Sequence, residues 1–136
     1  MVIVKANKDS EAGVLPDKEI LTKMGKYNEE LAKAGVMLAG EGVQPSSKGK
    51  RVKFSGTKRT ITDGPFTETK ELIAGFWLWK VKSIEDAVEW LKKAPFDGGT
   101  EIEIRPLFET EDFSDEFTPE LRQQEERLRK QIATKK

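Results

Sequence analysis

One stretch, Leu72 to Val81, constrains the fold more than any other part of the chain. It reads Leu-Ile-Ala-Gly-Phe-Trp-Leu-Trp-Lys-Val. In a strand, successive side chains point to opposite faces. Ile73, Trp77, Trp79 and Val81 then share one face, and Leu72, Phe76 and Leu78 share the other. Both faces are apolar, so both must be covered. A tryptophan buries ~150–250 Å², so a pair left in water would rival the largest apolar patch of a typical monomer, ~300–600 Å². A single layer of helices covers one face only. A second sheet from another subunit is the simplest cover for the other, which makes the chain a homodimer. Trp77 is expected in that dimer core, and Trp79 either there or in an aromatic pocket wall.

The rest of the chain supplies the helices. Val2 to Ala6 reads as a first strand and Asn7 to Leu15 as a loop. Pro16 opens a helix, where its missing N–H costs nothing. Ile20, Met24, Tyr27, Leu31 and Ala34 follow at helical spacing on one face, and Gly35 stops it. Val36 to Val43 is a second strand. Arg51–Phe54 and Arg59–Thr62 flank a turn at Ser55 to Lys58 and predict a hairpin. Ser83 caps a second amphipathic helix, with Asp86 three residues on, and Pro95 ends it. Glu101 to Leu107 is the last strand. The order β-α-β-hairpin-β-α-β predicts an α+β, ferredoxin-like βαββαβ sandwich over residues 1–108. Residues 109–136 follow as an extended acidic linker, with five acids between Glu109 and Glu116, and a C-terminal helix begun by Thr118 and Pro119.

Composition removes whole classes of chemistry. The chain has 136 residues, no Cys and no His. Disulfides, thiolate zinc sites, cysteine nucleophiles, Ser–His–Asp triads and most transition-metal sites are excluded, and no metal or cofactor is expected. Lys+Arg and Asp+Glu both number 24, so the basic excess of a general nucleic-acid binder is missing. The basic hairpin, Lys48, Lys50, Arg51, Lys53, Lys58 and Arg59, has only Phe54 for stacking, so direct nucleic-acid binding is not expected. No apolar run approaches the length of a signal-peptide core or a membrane span. The expected setting is the cytoplasm, without membrane contact.

Asp63-Gly64-Pro65-Phe66-Thr67-Glu68-Thr69-Lys70-Glu71, followed by Gly75-Phe76, resembles the DGPF family of YCII-related proteins. Ala34-Gly35 with Gly40-Glu41-Gly42 and Pro45, Ser83 through Asp86-Ala87 and Trp90 to Pro95, and Glu103-Ile104-Arg105-Pro106-Leu107 extend the match across about residues 1–108. The resemblance implies a ferredoxin-like fold of the dimeric α/β barrel type, in agreement with the element order. It implies no reaction. Some related YCII proteins carry a proposed His–Asp pair, which this His-free chain cannot reproduce. Members sometimes occur beside, or fused to, extracytoplasmic-function sigma factors, which implies a regulatory setting.

The candidate site residues follow from position. Asp63 is either a turn residue bonding its own backbone, with Gly64 at positive φ and Phe66 plugging the core, or a cleft-facing carboxylate at a strand end. Glu68 and Lys70 share one side of an extended segment, as a surface ion pair or as a rim for a polar ligand or the partner subunit. Ile102 and Ile104 should pack under the helices, turning Glu103 and Arg105 to the opposite, dimer-facing side, where partly buried charges need partners. Glu41, on a strand too short in glycine to cradle phosphate, and Trp79 complete the set. The leading function is a homodimeric small-ligand-binding or regulatory protein that holds a small polar or aromatic molecule between helices and sheet. The alternatives are a cofactor-independent enzyme (a monooxygenase, isomerase or hydrolase) using Glu41, Asp63 or Glu103 as base, and a dimerisation module linked to sigma-factor regulation.

Overall fold

The computed structural model describes residues 1–68 and 70–134. The chain divides into two compact units, Met1–Arg105 and Pro106–Lys136.

The first unit runs β1 (Val2–Lys5), α1 (Lys8–Glu11), α2 (Lys18–Lys33), β2 (Met37–Gly42), β3 (Lys50–Ser55), β4 (Lys58–Asp63), β5 (Ile73–Trp79), α3 (Ile84–Leu91) and β6 (Ile102–Ile104). Four strands form one sheet in the order β2-β5-β1-β6, with every neighbouring pair antiparallel. β1 and β2, joined through α2, are separated by β5, and β5 and β6, joined through α3, are separated by β1. This is the ferredoxin-like arrangement. β3 and β4 pair only with each other, as a hairpin inserted between β2 and β5.

Local chemistry sets the helix bounds. Asp17 caps α2, its carboxylate accepting the Ile20 N–H at 2.9 Å, so Pro16 lies just outside the helix rather than opening it. Gly35, at φ 72°, takes the left-handed conformation that ends it. Ser83 caps α3 by accepting the Asp86 N–H. α1 replaces part of the expected loop. Asn7 accepts the Ser10 N–H and its own N–H donates to the Ser10 hydroxyl, a reciprocal cap that holds a single turn.

α2 and α3 lie over the face that carries Val2, Val4, Trp77, Ile102 and Ile104, and the core sits between. Leu31 and Val2 are its most enclosed side chains. The Tyr27 hydroxyl donates to the Trp90 carbonyl at 2.7 Å, tying α2 to α3. Trp77 is buried here, its ring edge-on to Tyr27 at 6.0 Å and beside Trp79 at 5.7 Å. The expectation that Trp77 fills a dimer core is therefore corrected: its face of β5 is the helix face. Register leaves Ile3, Phe76, Leu78 and Glu103 on the opposite face, Ile3 standing across from Phe76 and from Glu103.

In the second unit, Thr118 accepts the Leu121 N–H and Pro119 begins α4 (Pro119–Thr134). The acidic stretch before it holds a 3-10 turn at Thr110–Asp112, and Phe113 packs its ring 5.2 Å from both Phe108 and Phe117. It is thus less extended than its charge suggests. Among the described residues no helix is long and apolar enough to cross a membrane.

Candidate functional site

A cleft of about 340 Å³ opens between α2 and the sheet. Pro16, Ile20, Leu21, Met24 and Asn28 form its helix side. Val4, Gly40, Glu41, Gly42, Ala74, Gly75, Phe76 and Trp77 form its sheet side, and Phe96 also lines it. The volume lies within the ~300–1,000 Å³ usual for small-molecule sites, as does a lining that is apolar with few polar groups. Two glycines shape it. A Cβ on Gly40 would stand 2.8 Å from both the Trp77 ring and the Met37 methyl, and one on Gly75 would stand 3.0 Å from the Glu41 carbonyl. The bare backbone at Gly40 makes room for the indole. The Trp77 N–H then donates to Asn28 Oδ1 at 2.9 Å.

A second cluster surrounds Ser46. Its N–H and hydroxyl both donate to the Glu11 carboxylate, and its hydroxyl oxygen accepts the Phe66 N–H at 2.9 Å. Glu11, Pro45, Ser46, Phe66 and Leu72 are among the residues around a cavity of about 520 Å³. The Asp-Gly-Pro-Phe turn departs from the expected turn geometry. Gly64 is not at positive φ. It is glycine because a Cβ would fall 1.7 Å from the Ser46 carbonyl oxygen, a clash no backbone tolerates. The Gly64–Pro65 peptide is cis. Asp63 bonds Lys50 across the hairpin at 2.5 Å, not its own backbone. Phe66 is half-buried under the Arg51 guanidinium, 3.8 Å from its ring centre, rather than plugging the core. Arg51 also pairs with Glu68 at 3.1 Å, and its hydrogen bond holds the Glu68 carboxyl below the usual range. Lys70 is exposed.

A third group lies on the sheet face opposite the helices. Glu103 pairs with Arg105 and with Lys5, both at 3.2 Å, and the hydrogen bonds from Arg105 and then Lys5 hold its carboxyl low. A carboxylate held low is a weaker base, so Glu68 and Glu103 are poorly suited to abstract a proton at neutral pH.

The eight residues singled out from the sequence are therefore dispersed. Glu41 borders the α2–sheet cleft with its backbone, and its side chain falls by register on the Phe76 face. Asp63, Phe66, Glu68 and Lys70 lie along the hairpin base and the turn that follows it. Glu103 and Arg105 lie on the other sheet face. Trp79 is half-buried in the core, its indole N–H buried with no acceptor among the described residues. Sequence reasoning missed Asn28, Gly75, Glu11 and Ser46. Two signals could have found the first pair: Asn28 is a polar residue on the apolar stripe, four residues after Met24, and Gly75 sits in the interior of a strand, where glycine marks close approach. Among the described residues no group of three or more acidic side chains is gathered that could hold a metal ion.

The sequence pattern of the YCII-related domain matches residues 1–111. An uncharacterized protein of Rhizobium meliloti (strain 1021) is 27% identical over 94 residues, which cover 67% of this chain and 75% of that protein.

Proposed function

The chain belongs to the YCII-related family, and on that footing we propose that it is a homodimeric binding protein whose ligand, a small and largely apolar or aromatic molecule, occupies the cleft between α2 and the sheet. The observation that carries this reading is the aromatic floor of that cleft. Trp77 is braced by Tyr27, by Phe96 at 6.1 Å and by the Asn28 amide, so a ligand would meet a flat, preset surface and lose little energy to rearrangement. Dimerisation through the opposite face is supported by Ile3, Phe76 and Leu78, an apolar patch flanked by the Lys5–Glu103–Arg105 pairs. A sheet face of that kind needs cover.

Native mass spectrometry of protein purified from its own host tests both parts. The expected spectrum is a dimer carrying a small-molecule adduct. Ile20→Trp, a half-exposed position on the cleft rim, should lose the adduct and keep the dimer. A bare monomer in the wild type would overturn the proposal.

A second reading, a cofactor-free enzyme, has Glu41 as the acidic residue among those lining the cleft, its backbone bordering it and its side chain falling by register on the Phe76 face. It requires Glu41→Gln to leave the adduct in place while turnover of that molecule stops. An adduct recovered chemically unchanged after prolonged incubation with the wild type favours the binding protein.

A further inference from the structure

We infer that the Asn28 amide nitrogen donates a hydrogen bond to the ligand of the α2–sheet cleft, so that the cleft selects an aromatic or apolar molecule bearing a carbonyl-type oxygen. This inference rests on the cleft being the binding site and adds the class of ligand. An indole N–H can only donate. Its partner at 2.9 Å must therefore be the amide oxygen of Asn28, which fixes the rotation of the amide about its last torsion. The Trp77 ring cannot swing away to release it. The ring is buried, lies where a Cβ on Gly40 would collide, and has Tyr27 and Phe96 edge-on against it.

With Oδ1 committed, Asn28 presents Nδ2 as a donor, and that nitrogen has no acceptor among the described residues. Around it the helix side is Pro16, Ile20, Leu21 and Met24, which offer no side-chain hydrogen bond. A ligand that buries itself there leaves the Asn28 donor unpaired unless it brings an acceptor, and an unpaired buried donor is costly. A ketone, quinone or amide oxygen on a flat apolar body supplies that acceptor.

The test uses the full-length ¹⁵N-labelled protein and two matched probes, 2-acetylnaphthalene and 2-ethylnaphthalene, which differ by one carbonyl oxygen. Binding is followed on the indole N–H resonance of Trp77, one of three tryptophans. The ketone should bind about fivefold more tightly, the worth of one net hydrogen bond. Asn28→Asp keeps an oxygen for the Trp77 N–H and removes the donor. It should hold the free Trp77 resonance near its wild-type position and abolish the preference. Equal affinity of the two probes for the wild type, or a preference that survives in Asn28→Asp, overturns the inference and leaves the cleft standing as a site. If neither probe moves the Trp77 resonance, the cleft reading itself fails and the inference falls with it.

Discussion

Glu11 and Ser46, 35 residues apart, meet at two points: the Ser46 N–H donates to Oε2 at 2.9 Å and its hydroxyl donates to Oε1. The same hydroxyl oxygen accepts the Phe66 N–H. One serine thus ties the end of α1, the loop after β2 and the Asp-Gly-Pro-Phe turn into a single cluster. Hydrogen bonds to an ionised acceptor are the stronger kind. Ser46→Ala leaves the Phe66 N–H without its acceptor and Glu11 with one donor fewer. Unfolding in urea should show a loss of about 1–3 kcal/mol, and hydrogen exchange at the Phe66 amide should quicken while the amides of α2 keep their protection. Unchanged exchange at Phe66 would mean that the turn is held by something other than this serine.

The two faces of β5 give opposite predictions for neighbouring residues. Trp77 is buried under α2 and bonded to Asn28, so Trp77→Glu puts an unpaired charge in the core at a cost of several kcal/mol and should unfold the protein. Leu78 lies on the other face, opposite Ala39. Leu78→Lys should change the stability of the isolated chain by only about 1 kcal/mol, and light scattering should show the mass fall from dimer to monomer. A Leu78→Lys protein that remains dimeric would move the subunit contact away from this face.

What could be read from the sequence, and what could not, follows the reach of each signal. The helix stripe Met24–Tyr27–Leu31, the Ser83 cap and the turn at Gly56, which takes φ 59°, are local, so spacing and residue type suffice. The placement of Ile102 and Ile104 under the helices follows from simple alternation. Which face of Leu72 to Val81 meets those helices is not local. Both faces are equally apolar, and the choice is made by the Trp77–Asn28 bond and by the room left at Gly40, contacts between residues far apart in sequence. The same holds for Gly64. The sequence marks a turn there, but the reason for glycine is the Ser46 carbonyl, which nothing near residue 64 announces. The candidate charges at Asp63, Glu68 and Glu103 were visible as charges, and three-dimensional pairing decided their partners: Lys50, Arg51 and Lys5 each come from a distant part of the chain.

Glu103 is the hub of its charged group. Arg105 is 69% exposed at its side chain and should contribute little, so Arg105→Met is expected to cost about 0–1 kcal/mol. Glu103→Gln weakens both pairs at once and should have the larger effect. The low carboxyl pKa of Glu103 sets the pH dependence. A group whose pKa is lower folded than unfolded stabilises the fold above its unfolded pKa, about 4.3 for Glu, and that contribution is lost as pH falls through the folded value. Acid unfolding curves of wild type and Glu103→Gln should therefore converge as the pH falls through the lowered folded value. Curves that stay parallel down to full protonation would show that the pairing does not favour the ionised form.

Tyr27, the chain's single tyrosine, offers the cleanest titration. Its hydroxyl donates to the Trp90 carbonyl inside the core, and burial, followed by the nearby Glu30 carboxylate, pushes its pKa up to about 12. The folded protein thus favours the protonated phenol more than the unfolded chain does, where the pKa is near ~10. The stabilisation is fully present below pH ~10 and lost as the pH rises through the folded value. Absorbance at the tyrosinate band should rise with a midpoint near the folded value, well above that of free tyrosine, in step with loss of the α2–α3 contact. Tyr27→Phe removes the hydrogen bond, costs about 1 kcal/mol at neutral pH, and should remove this part of the alkaline loss of stability. A reversible titration near pH ~10 with the fold intact would show that the hydroxyl is open to water and that the bond to Trp90 is not what joins the two helices.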